Sequence, residues 1–197
     1  IPNGVTSIGE EAFKNCEKLQ LESDELAKVY AIGIRAFENC NSITHVNLSE
    51  LRNSGREIFK DCKNLESVIL NEHTKLSYAM FVGSGLKSID VYEKIEIPEY
   101  CFAKCENLQT VTLHNSLVGI KVGAFSECTS LTEFNVLGTV EYFGDQVFYA
   151  DNMLKSFTLP NSDISLGGYC FYQCSSLETV YFGKDTLPDI EQERANA

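Results

Sequence analysis

The chain has 197 residues, 44% of them hydrophobic and 22% charged, with a formal net charge of −12. This is the composition of a folded protein. Its acidity counts against nucleic acid, whose binders carry basic patches, and against adsorption on anionic membranes.

One phenylalanine recurs along the whole chain, as Phe13, Phe37, Phe59, Phe81, Phe102, Phe125, Phe148 and Phe171, at intervals of 24, 22, 22, 21, 23, 23 and 23 residues. A fixed period of about 20–30 residues marks a solenoid, whose units bury apolar faces only against their neighbours. No Pro/Gly/Ser-rich linker breaks the series, so residues 1–182 are expected to form one domain of about eight units. The start at Ile1-Pro2-Asn3-Gly4 shows no signal-peptide pattern and no polar cap, and further protein upstream is expected.

Unit one reads Ile8-Gly9-x-x-Ala12-Phe13-x-x-Cys16-x-x-Leu19, but Glu22-Ser23-Asp24-Glu25 stand where a second apolar strand residue belongs. Unit two completes the pattern with Ala36-Phe37-x-x-Cys40-x-x-Ile43-x-x-Val46-x-Leu48. In unit three Phe59, Cys62 and Leu65 recur every third residue, which predicts a short helical or 3₁₀ turn. Leu65-x-x-Val68-x-Leu70 then moves toward alternation, the period of a half-buried strand. Unit three departs from the glycine pattern with Glu57, and unit four is one residue short at Phe81-Val82-Gly83-Ser84-Gly85-Leu86, which predicts an irregular coil. Units five to eight repeat the strand as Leu108-x-x-Val111-x-Leu113, Leu131-x-x-Phe134-x-Val136, Leu154-x-x-Phe157-x-Leu159 and Leu177-x-x-Val180-x-Phe182. Each strand is expected to pair in parallel with its equivalent in the next unit. A more variable segment before each Phe often ends in glycine, as in Ile8-Gly9, Ile32-Gly33, Val122-Gly123 and Phe143-Gly144, where positive φ or close backbone approach is expected. Residues 183–197 read as a polar tail or partial cap.

Six cysteines hold one repeat position, Cys16, Cys40, Cys62, Cys105, Cys128 and Cys174, where unit four has Ser84 and unit seven has Asp151. Cys101 and Cys170 directly precede Phe102 and Phe171, where other units carry Ala, Ile, Met or Val. All eight fit as small apolar fillers. A disulfide framework is the alternative, but parallel Cβ vectors in stacked units suit it poorly. Zinc needs about four converging ligands, which the i, i+4 cysteine pairs do not supply. His45, His73 and His114 do not cluster along the coil, and no phosphate loop, nucleophile elbow or HExxH run is present. No catalytic residue, metal or cofactor is therefore expected.

The residues between the apolar strand positions face outward in two columns. One holds Asn47, Ile69, Asp90, Thr112, Asn135, Thr158 and Tyr181, and the other His45, Ser67, Ser88, Thr110, Glu133, Ser156 and Thr179. From these, His45, Asn47, Asp90, Thr112, Asn135, Thr158 and Tyr181 are the candidate binding residues. A plain β-surface role competes with that reading. Tyr92, Tyr100, Tyr142, Tyr149, Tyr169, Tyr172 and Tyr181 gather in the later half, and amphipathic tyrosine suits protein or glycan contact as well as flank packing.

The recurring Ile-Gly-x-x-Ala-Phe-x-x-Cys-x-x-Leu-x-x-Val-x-Leu pattern resembles the BspA-like (treponemal-type) leucine-rich repeats over about nine-tenths of the chain, most clearly at Ile8–Leu19, Gly33–Leu48, Gly123–Val136 and Gly144–Pro160. The resemblance implies an α/β right-handed solenoid with a parallel sheet on its concave face and short helical turns. It also implies a cell-surface or secreted adhesion scaffold that binds a protein or glycan ligand, host and matrix proteins among them, and it brings no catalytic residues. Free thiols fit an intracellular setting better and stand in tension with the surface location. A structural spacer, or an accessory domain presenting another module, is the alternative function.

Overall fold

The computed structural model describes residues 1–2, 4–159 and 164–182, so the tail expected at 183–197 lies outside the described residues. The chain winds as a parallel-strand β-solenoid, in which seven stacking steps join the eight phenylalanine rings. The expected α/β class and helical or 3₁₀ turns need correction, because no helix occurs among the described residues.

The segment read as helical is a run of tight turns. In every coil the residues two before and two after the phenylalanine have positive φ, as in Glu11 and Asn15, Arg35 and Asn39, and Glu57 and Asp61. Gly83 and Gly123 hold such places in later coils, so Gly123 serves the left-handed turn and is not equivalent to Gly9. Alternating handedness points every second N–H at the next coil. Glu11, Phe13 and Asn15 donate to the carbonyls of Ile34, Ala36 and Glu38 at 2.8–2.9 Å. The amides between them close turns on their own coil, Ala12 to Gly9, Lys14 to Glu11 and Cys16 to Phe13. Period-three side chains thus arise without a helix, and the amides are used to join coils.

Two sets of parallel strands run along the coil. The first comprises β3 (His45–Asn47), β5 (Ser67–Ile69), β6 (Ser88–Val91), β8 (Thr110–Leu113), β10 (Glu133–Val136), β12 (Ser156–Leu159) and β14 (Thr179–Phe182). These follow the Leu-x-x-Val-x-Leu pattern. Their pairing is not continuous: β3 joins β5, β6 joins β8 and β8 joins β10, and β12 joins β14. One interruption, between β5 and β6, falls at the shortened fourth unit, and unit one forms no strand over its acidic run.

A second sheet was not foreseen. It comprises two separately paired groups, β1 (Ser7–Ile8), β2 (Ala31–Ile32) and β4 (Asn53–Ser54), then β7 (Glu96–Ile97), β9 (Leu117–Ile120), β11 (Val140–Phe143) and β13 (Ser165–Leu166). Its signal is the residue five before each phenylalanine: Ile8, Ile32, Leu76, Ile97, Ile120, Phe143 and Leu166, with Ser54 the exception. The glycine that follows this position is set by close approach. A Cβ on Gly33 would lie 2.4 Å from the Glu10 backbone nitrogen, and one on Gly55 2.4 Å from that of Ile34. Unit three therefore keeps the pattern through Gly55, and Glu57 is its left-handed turn residue.

Between the two sheets lies the ring stack. Successive rings along the series are 5.2–6.2 Å apart and within 14° of parallel. Phe37, Phe59, Phe81, Phe102, Phe125 and Phe148 are fully buried, whereas Phe13 and Phe171 are partly exposed. The cysteine column is more than filler. Thiols of Cys40, Cys62, Cys105, Cys128 and Cys174 donate to the phenylalanine carbonyl of an earlier coil at 2.9–3.2 Å. All eight cysteines are free thiols, and only Cys16 is exposed. Burial pushes Cys40 up to about 11 and Cys62 and Cys105 up to about 12. Because the thiolate is the reactive form, alkylation of the native protein at neutral pH should modify one thiol rapidly and all eight in denaturant. Mass spectrometry reads both counts.

Candidate functional site

Alternation along the first sheet turns apolar residues inward and sets the intervening side chains in rows. Asp90, Thr112 and Asn135 align as Cα partners, as do Asn47 with Ile69 and Thr158 with Tyr181. His45 aligns with Ser67, and Ser88 with Thr110 and Glu133. His45, Asp90 and Asn135 are exposed, while Asn47, Thr112, Thr158 and Tyr181 are half-buried. The seven candidate residues therefore share one face but lie in three separately paired groups of strands.

Several are already engaged. The Asn47 side-chain amide donates to Asp24 Oδ1 at 3.1 Å and its backbone N–H to the Ser23 carbonyl at 2.9 Å, so unit one joins this face although it forms no strand there. His45 Nδ1 lies 2.8 Å from Thr44 Oγ1. Asp90 Oδ1 sits 2.8 Å from His114 Nε2, and the His114 ring stacks on Tyr92 at 4.5 Å. Tyr92 belongs to the tyrosine set, whereas His114 stands outside both candidate sets, and the pair extends the face beyond the strand ends. Ile69 is 52% exposed and Leu137 60%, giving apolar points on a largely hydroxylated surface.

The second sheet carries a different arrangement. Tyr142 lies across Gly119, where a Cβ would meet its ring at 2.2 Å, and its hydroxyl donates to Glu96 Oε1 at 2.5 Å. Lys121 Nζ is 3.0 Å from the other Glu96 oxygen. The Tyr142 hydroxyl bond, followed by Lys121, lowers the Glu96 carboxyl, while burial and then Glu96 push the Tyr142 phenol up to about 12. The group is locked into its own bonds and clamps three strands together. Near the left-handed turns, Arg35 lies 2.7 Å from Glu57 and 3.7 Å from both Glu11 and Glu38, with Lys14 3.2 Å from Glu38. This row, too, spans successive coils.

Of the tyrosines, Tyr149 and Tyr172 stack at 5.6 Å and Tyr169 meets Tyr172 edge-on, Tyr169 being 67% exposed. Tyr100 packs over Gly123. Among the described residues, no group of three His, Cys, Asp or Glu side chains is placed to hold a metal ion. No helix among them is long and apolar enough to cross a membrane.

Residues 1–97 and 80–193 match the BspA type leucine-rich repeat region, in six copies. No curated protein matches the sequence. Among solved structures, a leucine-rich repeat protein from T. pallidum is 22% identical with a TM-score of 0.63, over 99% of this chain and 78% of its own. One from Bacteroides ovatus is 25% identical with a TM-score of 0.52, over 91% of this chain. One from Eubacterium ventriosum is 18% identical, also at 0.52, over 93% of this chain. The chain spans 59% of the length of the B. ovatus and E. ventriosum proteins.

Proposed function

Because the chain belongs to the BspA-type leucine-rich repeat family, we propose that it is a non-enzymatic protein-binding and adhesion scaffold, part of a larger cell-surface protein. The observation that carries this reading is the register of the first sheet. Within each paired group of strands it orders candidate residues before any ligand arrives: His45 and Asn47 in the first, Asp90, Thr112 and Asn135 in the second, Thr158 and Tyr181 in the third. A partner meeting preordered side chains loses less conformational entropy on binding. The partner is a protein or glycan ligand of host or matrix origin. Hydroxyl, amide and carboxylate groups dominate the face, and the exposed Ile69 and Leu137 supply apolar contact.

The test is capture of matrix proteins and glycans by the immobilised chain and by an Asp90→Ala/Asn135→Ala/Tyr181→Ala variant. Loss of capture by about tenfold or more, equivalent to roughly 1.4 kcal/mol, supports the face as the contact surface. Equal capture by both proteins rules it out.

A further inference from the structure

Three independent features meet at the junction between the sixth and seventh coils. First, β10 and β12 are not paired, and a cleft lined by Thr132, Glu133, Asn135, Leu137, Ser156 and Thr158 runs between them. The inward residue of the strand is Val or Ile in every other strand of this sheet, but Phe134 and Phe157 follow one another here, 5.7 Å apart and tilted by 43°. Two bulky rings in adjacent coils displace the strands that carry them. Second, the Phe125–Phe148 step is the widest in the ring stack, at 6.2 Å. Third, Asp151 stands in the cysteine position of the seventh coil and is fully buried. Its Oδ1 accepts the Cys128 N–H at 2.8 Å, while Oδ2 is buried without a hydrogen-bond partner. The second sheet is intact across the same junction, since β11 pairs with both β9 and β13.

Insertion of a partner strand into the cleft does not fit, because two strand spacings need about 9.6 Å and the rings on either side are 6.2 Å apart. The geometry points to a pH-operated hinge: loss of the Asp151 proton parts coils six and seven along the first sheet, while β9, β11 and β13 hold them together along the second. The proton passes to solvent, and the carboxylate gains hydration only when the coils separate. The titratable groups around it offer no compensation. Glu127 and Cys128 face it from coil six, and Cys170 and Cys174 from coil eight. None is cationic, and Glu127 adds repulsion although it lies 3.7 Å from Lys104. Burial first, and Glu127 next, push the carboxyl up to about 9 in the closed form. In the open form it returns to the ordinary range near ~4. Between those limits one proton is released per opening, so the open population rises about tenfold per pH unit.

Residue-resolved hydrogen exchange, corrected for the intrinsic pH dependence of amide exchange, tests this from pH 5 to pH 8. The Phe125 and Glu127 amides donate to Val147 and Tyr149 of the next coil, so both report parting of the coils. Their protection should fall about tenfold per pH unit in the natural chain and stay flat in Asp151→Asn and Asp151→Cys. Asp151→Cys restores the residue found in six other coils, so the fold is retained. The Gly144 amide, bonded to Ile120 across the second sheet, and the Phe59 and Asp61 amides in coil three should stay flat throughout. Flat protection at Phe125 and Glu127 in the natural chain would overturn the proposal. So would the same slope in Asp151→Asn, or an equal slope at Gly144 and Phe59.

Discussion

Phe102→Ala is expected to lower the unfolding free energy by about 3–5 kcal/mol, the range for removing a buried aromatic ring from a packed core. Phe102 is fully buried between Phe81 at 5.5 Å and Phe125 at 5.2 Å. The turn carrying it is tied to the next coil by backbone bonds from Tyr100, Phe102 and Lys104. These fix the coil spacing, so the gap cannot close by bringing neighbouring coils together. Phe171→Ala should cost much less, because that ring is only partly buried and stacks within its column on Phe148. Urea unfolding of both variants checks the contrast. Equal losses would show that stability does not follow the ring stack, against nearest-neighbour behaviour in a solenoid.

How much of this was legible depended on whether a feature repeats at one position. The phenylalanine and cysteine columns repeat in nearly every unit, so the solenoid and its dry interior could be read directly. The columns of the first sheet were equally readable, because the period of two fixes which residues face out. Phe59, Cys62 and Leu65 misled because a spacing of three suits a 3₁₀ turn as well as successive β-turns. Only the positive φ of residues such as Glu57 and Asp61 separates the two, and carboxylates do not announce that conformation as glycine does. The second sheet offers one repeating apolar position per unit, five residues before each phenylalanine, and a single position does not separate a two-residue strand such as Ser7–Ile8 from a turn. Tyr142 reaching Glu96 across Gly119 could not be seen in any single coil, since the three residues belong to three different ones. The gap between β10 and β12 has the same origin. Phe134 and Phe157 each stand where the other strands have Val or Ile, and it is their adjacency in the stack that crowds the sheet.

Asp151→Cys is expected to stabilise the chain at pH 7 by about 2–3 kcal/mol and to have little effect near pH 4. The natural carboxyl sits where other coils place a thiol that donates to the preceding phenylalanine carbonyl, as Cys128 does to Phe102. Burial holds its pKa up at about 9 in the folded chain, against about 4 for an ordinary carboxylate. Between those values the folded state keeps a proton that the unfolded state has released. Stability must then fall as pH rises, by up to about 1.4 kcal/mol per unit, and level off above pH 9. Below pH 4 both states are protonated and this penalty is absent. Relaxation around the carboxyl brings the gain at pH 7 below the roughly 4 kcal/mol that three such units would give. A thiol carries no charge over this range and restores the donor to the Phe125 carbonyl, so the gap between the two proteins should widen from pH 4 to pH 8. Urea unfolding across that interval measures it, and a constant difference at all pH values would show that Asp151 ionises within the fold at no cost.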